Sequence, residues 1–230
     1  MPARTRTPTA GHLDRPVVPR GEPVLAVVPD GGHRGPPPDW VLRWCRRSGL
    51  RLRHSAETGP GPATAAAQRD ERVLLLRPTA SPMSGRGARG LPRVVAALRE
   101  LPADGPVLAD AVACAVRLGA ALVIVHVVPR SFGERSVDLA GAVSHGRRLL
   151  DTAAADVAVV ASHLAVEGRL LRMLPYELVG ESLDADLLVV GGVRPGEHAA
   201  GPGLVALSAL HHAACPVLVT RRAERRRAPS

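Results

Sequence analysis

From about residue 92 onward, short apolar runs alternate with longer stretches in which apolar residues recur at helical spacing. The apolar runs predict five β-strands, at residues 94–98, 121–128, 157–162, 187–190 and 216–220. The stretches between them predict four helices, at residues 107–119, 136–153, 170–183 and 203–213. Strand–helix alternation at this spacing is typical of βαβ units with right-handed crossovers. We therefore expect an α/β fold: a doubly wound, five-stranded parallel sheet with helices on both faces.

The first 91 residues carry a weaker pattern. Residues 1–22, rich in Pro, Arg and Thr, predict a disordered tail, and residues 23–91 predict an N-terminal extension. Within the extension, apolar runs predict strands at residues 23–28, 50–54 and 73–76, and a helix follows Asp39. Residues 57–70 and 78–91 have the Gly- and Pro-rich composition of linkers. We assign the main domain to residues 92–222 and a basic tail to residues 223–230.

The composition limits the kinds of partner. Hydrophobic residues make up 46% of the chain but aromatic residues only 2%, so the core must be aliphatic. The net charge is +9, yet all 30 basic residues are Arg and the chain has no Lys. This bias is typical of GC-rich coding, and the Arg-rich ends, which include Arg221 and Arg222, are typical of solvated tails. We therefore expect no nucleic-acid partner.

The cysteines and the apolar runs indicate in which cellular compartment the protein is expected. Cys45, Cys114 and Cys215 lie far apart and lack the spacing of a metal site. Cys114 and Cys215 fall in apolar surroundings, which favours buried thiols in a reducing compartment. The first 20 residues contain no apolar signal-peptide core, and no apolar run reaches the ~18 residues that a membrane helix needs. We expect a cytoplasmic protein without a membrane span.

Three stretches resemble the universal stress protein family. Residues 118–128 (LGAALVIVHVV) resemble the end of its first helix and its second strand, and residues 184–192 (DADLLVVGG) its fourth strand. Residues 210–219 (LHHAACPVLV) resemble its last helix–strand junction. The resemblance covers about residues 93–222 and implies an adenine nucleotide alpha hydrolase-like fold. It also implies a homodimer through the last strand, here Val217, Leu218 and Val219, and a role in stress response without a common catalytic reaction.

Some members of that family bind ATP through a glycine loop, G-x2-G-x9-G-[S/T], and an Asp at the end of strand one. Glycines let backbone N–H groups approach phosphate, and a following helix N-terminus favours negative charge. Carried over to this sequence, the resemblance implies nucleotide-binding residues at Gly191, Gly192, Arg194, Gly196, Gly203 and Val127.

This loop departs from the family pattern. The spacing from Gly191 to Gly203 is one residue short, Arg194 takes the second glycine position, and Leu204 replaces the hydroxyl residue. Leu98 and Arg99 stand where the strand-one Asp would be. Two functions therefore stay open. The leading one is a non-enzymatic stress-response and signalling protein that acts as a dimer with unidentified protein partners and has no cofactor. The alternative is an ATP-binding sensor that uses the remaining glycines.

Other polar residues have structural interpretations, and we expect no catalytic residue and no metal site. His126 lies inside an apolar strand and is interpreted as a hydrogen-bonded core histidine. Asp184 and Asp186 precede a strand, at the end of the sheet away from the expected site. The adjacent His211 and His212 fit the C-terminus of a helix. Residues 23–56 follow a strand–helix–strand order, so a partial second copy of the domain and a simple extension both remain open.

Overall fold

The computed structural model describes residues 24–30, 35–68, 72–77, 91–130, 139–179, 184–192 and 203–223. In chain order, the elements are β1 (Val24–Pro29), α1 (Asp39–Ser48), β2 (Arg51–His54), α2 (Pro60–Gln68), β3 (Arg72–Leu76), β4 (Arg93–Ala97), α3 (Gly105–Leu118), β5 (Ala121–Val128), α4 (Leu139–Val160), β6 (Val166–Arg172), a 3₁₀ helix (Pro175–Val179), β7 (Leu187–Gly191), α5 (Leu204–His212) and β8 (Val217–Thr220). No helix in these ranges is long and apolar enough to span a membrane.

All the strands belong to one sheet, in the order β2-β1-β3-β8-β7-β4-β5-β6. Neighbouring strands are parallel except β3 and β8, which run antiparallel. The predicted α/β class, with a mostly parallel sheet between helices, is confirmed. The predicted number of strands is wrong: the described residues form a sheet of eight strands instead of five, because β1, β2 and β3 continue it beyond β8.

Apolar side chains fill both faces of the sheet. One cluster packs α1, α3 and α4 against the strands and contains Trp44, Ala111 and Val157. The other packs α2, α5 and the 3₁₀ helix on the opposite face and contains Ala66, Leu178 and Leu210. Each cluster includes residues from both the first three strands and the last five. The N-terminal strands therefore share one continuous core with the rest of the chain.

Two predicted elements after β5 are wrong. The strand predicted at residues 157–162 begins with the last turn of α4, which ends at Val160. Of the helix predicted at residues 170–183, residues 170–179 contain the end of β6 and the 3₁₀ helix, and residues 180–183 lie outside the described residues. The apolar run at the end of α4 does not enter the core as a strand would. Val157 is buried, but Val159 and Val160 remain 78% and 61% exposed, because only one side of the helix faces the sheet.

The linker predicted at residues 57–70 contains a helix, α2. Pro60 stands at its first position, where the missing N–H costs no hydrogen bond. Ala63, Ala66 and Ala67 are buried against the sheet, and alanine has the highest helix propensity. The Gly- and Pro-rich composition predicted a linker, so this short helix with its buried alanine side chains was missed.

Strand β3 pairs antiparallel with the side of β8 through which a homodimer is expected to form. Val73 lies opposite Val219, Leu74 opposite Leu218, and Leu75 opposite Val217. On its other side, β8 pairs with β7. The expectation that β8 is a sheet edge is therefore wrong. Val217, Leu218 and Val219 pair with β3 on one side and with β7 on the other, within the chain.

A buried polar cluster fixes this junction. The Asp110 side chain of α3 accepts hydrogen bonds from Arg72 Nε, at 2.7 Å, and from the Thr220 hydroxyl. Arg72 begins β3 and Thr220 ends β8. One carboxylate thus joins a helix to the two antiparallel strands, and its charge is compensated by an arginine in the same cluster.

The N-terminal strands repeat part of the topology of the later ones. The units β1–α1–β2 and β4–α3–β5 are both parallel strand–helix–strand units. Their helices end alike: Gly49 and Gly119 adopt left-handed conformations, and the next amides, of Leu50 and Ala120, bond back to the helix at 2.9 Å. Residues 73–77 (VLLLR), which include most of β3, share three of five residues with residues 217–221 (VLVTR), which include β8. These features favour the partial-copy interpretation.

Close packing at Gly146 yields a test of the α4 interface. A Cβ at this position would lie 2.5 Å from Leu170 Cδ1 and 2.7 Å from His126 Cδ2. We expect Gly146→Ala to lower the free energy of unfolding by about 1–3 kcal/mol, because overpacking forces neighbouring groups apart. Urea denaturation measures this change.

Gly61→Ala is the matched control, because a Cβ at Gly61 meets no atom within 4 Å. Its free energy of unfolding should stay equal to that of the wild type or rise slightly. Equal stability of the two variants would contradict the close α4–β5 approach.

Candidate functional site

The sheet reverses its winding between β4 and β7. From β4 the chain proceeds through α3 to β5 on one side, whereas β7 and β8 lie on the other side of β4. The helices α3 and α5 pack on opposite faces of the sheet. The carboxyl ends of β4 and β7 therefore bound a crevice at a topological switch point, where open α/β sheets bind ligands.

Four of the six predicted nucleotide-binding residues lie along this edge of the sheet. Gly191 ends β7, Gly192 follows it, Gly203 immediately precedes α5, and Val127 is near the end of β5. The other two, Arg194 and Gly196, lie outside the described residues. The fold thus brings the outer ends of the predicted loop to the switch point.

The backbone of Gly192 is hydrogen-bonded to β8 and packs closely against it. Its backbone N–H donates to the carbonyl oxygen of Thr220 at 2.7 Å. A Cβ at Gly192 would lie 3.1 Å from Val219 Cγ1 and 3.3 Å from the Thr220 carbonyl oxygen. Glycine here permits the close approach of β8, and its amide donates to Thr220.

Arg222 lies over Gly191, two residues beyond the end of β8. A Cβ at Gly191 would lie 3.0 Å from Arg222 Cζ and 3.1 Å from its Cγ. The Arg222 side chain is only 15% exposed. Arg222 was expected in a solvated tail, and that interpretation is wrong: its guanidinium is packed into the switch-point crevice.

The partner of Arg222 is Asp104, in the loop between β4 and α3. Asp104 is 1% exposed, and its Oδ2 accepts hydrogen bonds from the backbone N–H groups of Arg99, at 2.6 Å, and Glu100, at 2.9 Å. Its Oδ1 lies 2.7 Å from Arg222 Nε in an ion pair that lacks the alignment of a hydrogen bond. The sequence pattern indicated only a turn at Asp104, and no spacing signal links it to an arginine 118 positions later.

A second contact holds the same segment. The Ala223 N–H donates to the carbonyl oxygen of Ala103 at 2.9 Å. Residues 221–223 therefore cross from the end of β8 to the β4–α3 loop. We call this segment the strap.

The N-terminal strands carry a similar pair. Arg77 follows β3, and its Nε lies 3.2 Å from Oδ2 of Asp30, which follows β1. Arg77 Nη2 also donates to the carbonyl oxygen of Leu210, near the end of α5. The two pairs are alike in position. Asp30 follows β1 and pairs with Arg77 after β3, and Asp104 follows β4 and pairs with Arg222 after β8.

His126 is a core histidine, as predicted. It is 8% exposed, and its Nδ1 lies 3.0 Å from the carbonyl oxygen of Leu98. Burial lowers the pKa of His126 below its ordinary value of 6.5, and the nearby His145 ring, at 6.2 Å, acts in the same direction. The bond to Leu98 and the charge of Asp104 oppose this shift but do not reverse it. The neutral imidazole, donating from Nδ1, fits the site.

The other polar residues that the sequence analysis named, Asp186, His211, His212 and Cys215, lie away from the crevice. Asp186 accepts a hydrogen bond from the Arg93 N–H at 2.8 Å, at the amino ends of β4 and β7. His211 and His212 are exposed at the end of α5. Burial raises the pKa of Cys215 to about 11, which keeps its thiol protonated. Among the described residues, no group of three or more His, Cys, Asp or Glu side chains could hold a metal ion.

The buried His126 predicts a pH dependence of stability. Because its pKa is lower in the folded chain than in the unfolded one, its contribution to stability is complete above about pH 6.5 and is lost as the pH falls below that value. We expect the midpoint of urea denaturation to fall between pH 7 and pH 5. His126→Gln, which keeps a side-chain N–H donor, should make this fall shallower.

The exposed His163 provides the control for this measurement. His163→Gln should leave the pH dependence as it is in the wild type. An unchanged pH dependence in His126→Gln would contradict the burial of a neutral imidazole.

The fold was compared with solved structures. Universal stress protein UspA from Lactobacillus plantarum superposes with a TM-score of 0.50 at 20% identity, covering 57% of this chain and 98% of that one. A universal stress protein family member from Burkholderia pseudomallei gives a TM-score of 0.43 at 27% identity, over 55% of this chain and 93% of that one. A putative universal stress protein from Pseudomonas aeruginosa gives 0.48 at 14% identity, over 87% and 93%.

No protein-family model and no curated protein sequence matches the chain. The likeness to the Lactobacillus plantarum protein, which extends over nearly all of that protein, concerns the fold. The chain therefore has the α/β fold of a universal stress protein, continued by three further strands.

Proposed function

We propose that this chain is a non-enzymatic stress-response protein of the universal stress protein type, whose switch-point crevice is closed by its own Arg222. The observation that carries the proposal is the Arg222–Asp104 ion pair, which lies over Gly191. A cation of the chain thus occupies the position where the family's glycine loop would receive phosphate.

The electrostatics of the crevice support this proposal. A phosphate site needs free backbone amides and uncompensated positive charge. Here the Gly192 amide donates to Thr220, and the Arg222 charge faces a buried carboxylate. An anion placed beside Asp104 would also meet like-charge repulsion, which is strong where water is excluded. These contacts favour a crevice that excludes nucleotides.

Asp104 and His126, two titratable side chains near the crevice, are both bonded to other groups of the chain. This supports a role without catalysis. Asp104 accepts two backbone hydrogen bonds and pairs with Arg222, and the His126 ring nitrogen Nδ1 bonds to Leu98. A general base must reach the proton that it removes. In these positions, both side chains hold the β4–α3 loop and the strands around it.

We further propose that the chain acts through contacts with other proteins, and that it does so as one chain. The β8 edge, through which a second copy was expected to bind, is filled by β3. The sheet then resembles a joined pair of domains in which the N-terminal partner is shortened to three strands.

A second candidate is an ATP-binding sensor. The observation that favours it is the position of Arg222 beside Gly191, together with Gly203 at the start of α5. A guanidinium can bind phosphate through two parallel hydrogen bonds. If Arg222 turned away from Asp104, it would supply a donor in place of those that the altered loop lacks.

Calorimetric titration of ATP with magnesium into the full chain distinguishes the two candidates. We expect no saturable heat and no rise in melting temperature at about 1 mM ATP, because a ligand that does not bind the folded state cannot stabilise it. Saturable binding with a raised melting temperature would reject the closed-crevice proposal and favour the sensor.

Gly203→Val is the informative variant if ATP does bind. A Cβ at Gly203 meets no atom within 4 Å, so the variant should fold. Weaker binding by this variant would assign the nucleotide to the loop between β7 and α5, and unchanged binding would assign it elsewhere.

A further inference from the structure

We propose that the edge of the sheet at β2 is a docking site for a partner protein, which binds there through an extended acidic segment that pairs with β2 as a further strand. This inference rests on the proposed function, in which the chain acts through contacts with other proteins. It adds the surface that makes the contact and the chemistry of the segment that binds.

The backbone of β2 has one side that faces away from the sheet. β2 stands at one end of the strand order, and its strand neighbour among the described residues is β1. The Ser55 N–H, which follows β2, donates to the carbonyl oxygen of Val27 at 2.8 Å. Because successive residues of a strand direct their backbone groups to opposite sides, the N–H and C=O groups of Leu52 and His54 point away from β1. Such groups are the template to which an extended peptide adds a strand.

Exposed arginine side chains are concentrated on β2 and on α1, the helix that precedes it. They are Arg43, Arg46, Arg47, Arg51 and Arg53. Residues 40–56 contain no Asp or Glu, and the nearest acids along the chain are Asp39 and Glu57. Arg51 and Arg53 also have another interaction within the chain, so the summed charge of α1 and β2, and not an unpaired cation, is what attracts a partner. A positive field of this kind favours the encounter with anionic segments.

The two faces of β2 differ, and the difference defines the segment that fits. Arg51 and Arg53 lie on one face of the strand and Leu52 lies on the other. Leu52 is half-buried against the apolar cluster that contains α1. A strand beside β2 would place alternate side chains on these two faces, and opposite charges on neighbouring strands stabilise their pairing. The partner segment is therefore one in which acidic and apolar residues alternate.

The same features argue against two other occupants. A second copy of β2 would bring arginine side chains together, and like charges on adjacent strands are destabilising. Single-stranded nucleic acid binds through aromatic side chains on which its bases stack, whereas β2 has the sequence RLRH and contains no Phe, Tyr or Trp. Nucleic acid also lacks the regular N–H and C=O groups that pair with a strand. The edge therefore favours a polypeptide over either.

The experiment is titration of the full chain, followed by fluorescence anisotropy, with a labelled peptide of about eight residues in which Asp and Val alternate, at about 50 mM salt. A basic peptide in which Lys and Val alternate is titrated in the same way. We expect saturable binding of the acidic peptide, about tenfold or more tighter than that of the basic one. Failure of the acidic peptide to bind, or equal binding of both peptides, would overturn the proposal. Tighter binding of single-stranded poly-deoxythymidine would overturn it too.

His54→Pro tests the backbone pairing. The substitution removes an N–H that points away from β1, and edge strands tolerate proline at such positions, so the variant should fold. His54→Ala is the matched variant, because it also lacks the imidazole but keeps the N–H. We expect His54→Pro to bind the acidic peptide about tenfold more weakly than His54→Ala does. Equal binding by the two variants would contradict the pairing of a peptide with β2.

Arg51→Gln/Arg53→Gln tests the charge of the edge. Glutamine keeps a long polar side chain, and we expect this variant to bind the acidic peptide about tenfold more weakly than the wild type. Arg147→Gln/Arg148→Gln is the matched control, because it makes the same change in net charge at exposed positions of α4, which packs on β5 and β6 at the other end of the sheet. An equal loss in this control would reflect net charge alone and would sink the proposal.

Amide exchange of the wild-type chain tests the site even if these variants do not fold. With saturating acidic peptide, we expect the Leu52 and His54 amides to exchange about tenfold more slowly, because they become hydrogen-bonded to the peptide. The amides of β6, at the opposite edge, should exchange at an unchanged rate. Unchanged exchange at Leu52 and His54, or equal slowing in β6, would overturn the proposal.

Failure of this proposal is distinct from failure of the closed crevice. ATP binding by the wild type would reject the closure of the crevice that the strap crosses, between β4 and β7, and would leave the peptide result standing. Absence of peptide binding would reject the docking site at β2 and would leave the crevice closed.

Discussion

The antiparallel pairing of β3 with β8 is the interaction on which the architecture depends. It joins three N-terminal strands to five C-terminal ones, so the apolar clusters on both faces run through the whole sheet. It also covers the β8 edge, whose unpaired N–H and C=O groups would otherwise be a template for another strand. The Asp110 carboxylate fixes this junction by binding Arg72 and Thr220 at its two strands.

The candidate site depends on the same strand. Thr220 lies opposite Gly191, and its carbonyl oxygen accepts the Gly192 amide. Two residues later, Arg222 turns across Gly191 to reach Asp104. A single extended segment therefore completes the sheet, engages a loop amide and fills the crevice. Gly191 and Gly192, two of the glycines that resemble a phosphate loop, accommodate Arg222 and β8.

The sequence predicted the parts of the fold that have local signals. The apolar runs at β4, β5, β7 and β8 are short and continuous, as expected for buried parallel strands. The Ala- and Val-rich end of α4 was interpreted as a strand because an apolar run does not distinguish the two structures. The β3–β8 pair joins residues about 145 positions apart, and no local pattern reports such a pairing. Arg222 lies in an Arg-rich run that is typical of a solvated tail. Its ion pair with Asp104 is therefore visible only in the structure.

The most direct test of this account is the mass of the full chain by light scattering, combined with amide exchange of β8 over a range of micromolar concentrations. The account predicts a monomer of 24.1 kDa, with protected β8 amides whose exchange does not change with concentration. A doubled mass, with β8 amides that lose protection on dilution, would contradict it, because β8 would then pair with a second chain instead of with β3.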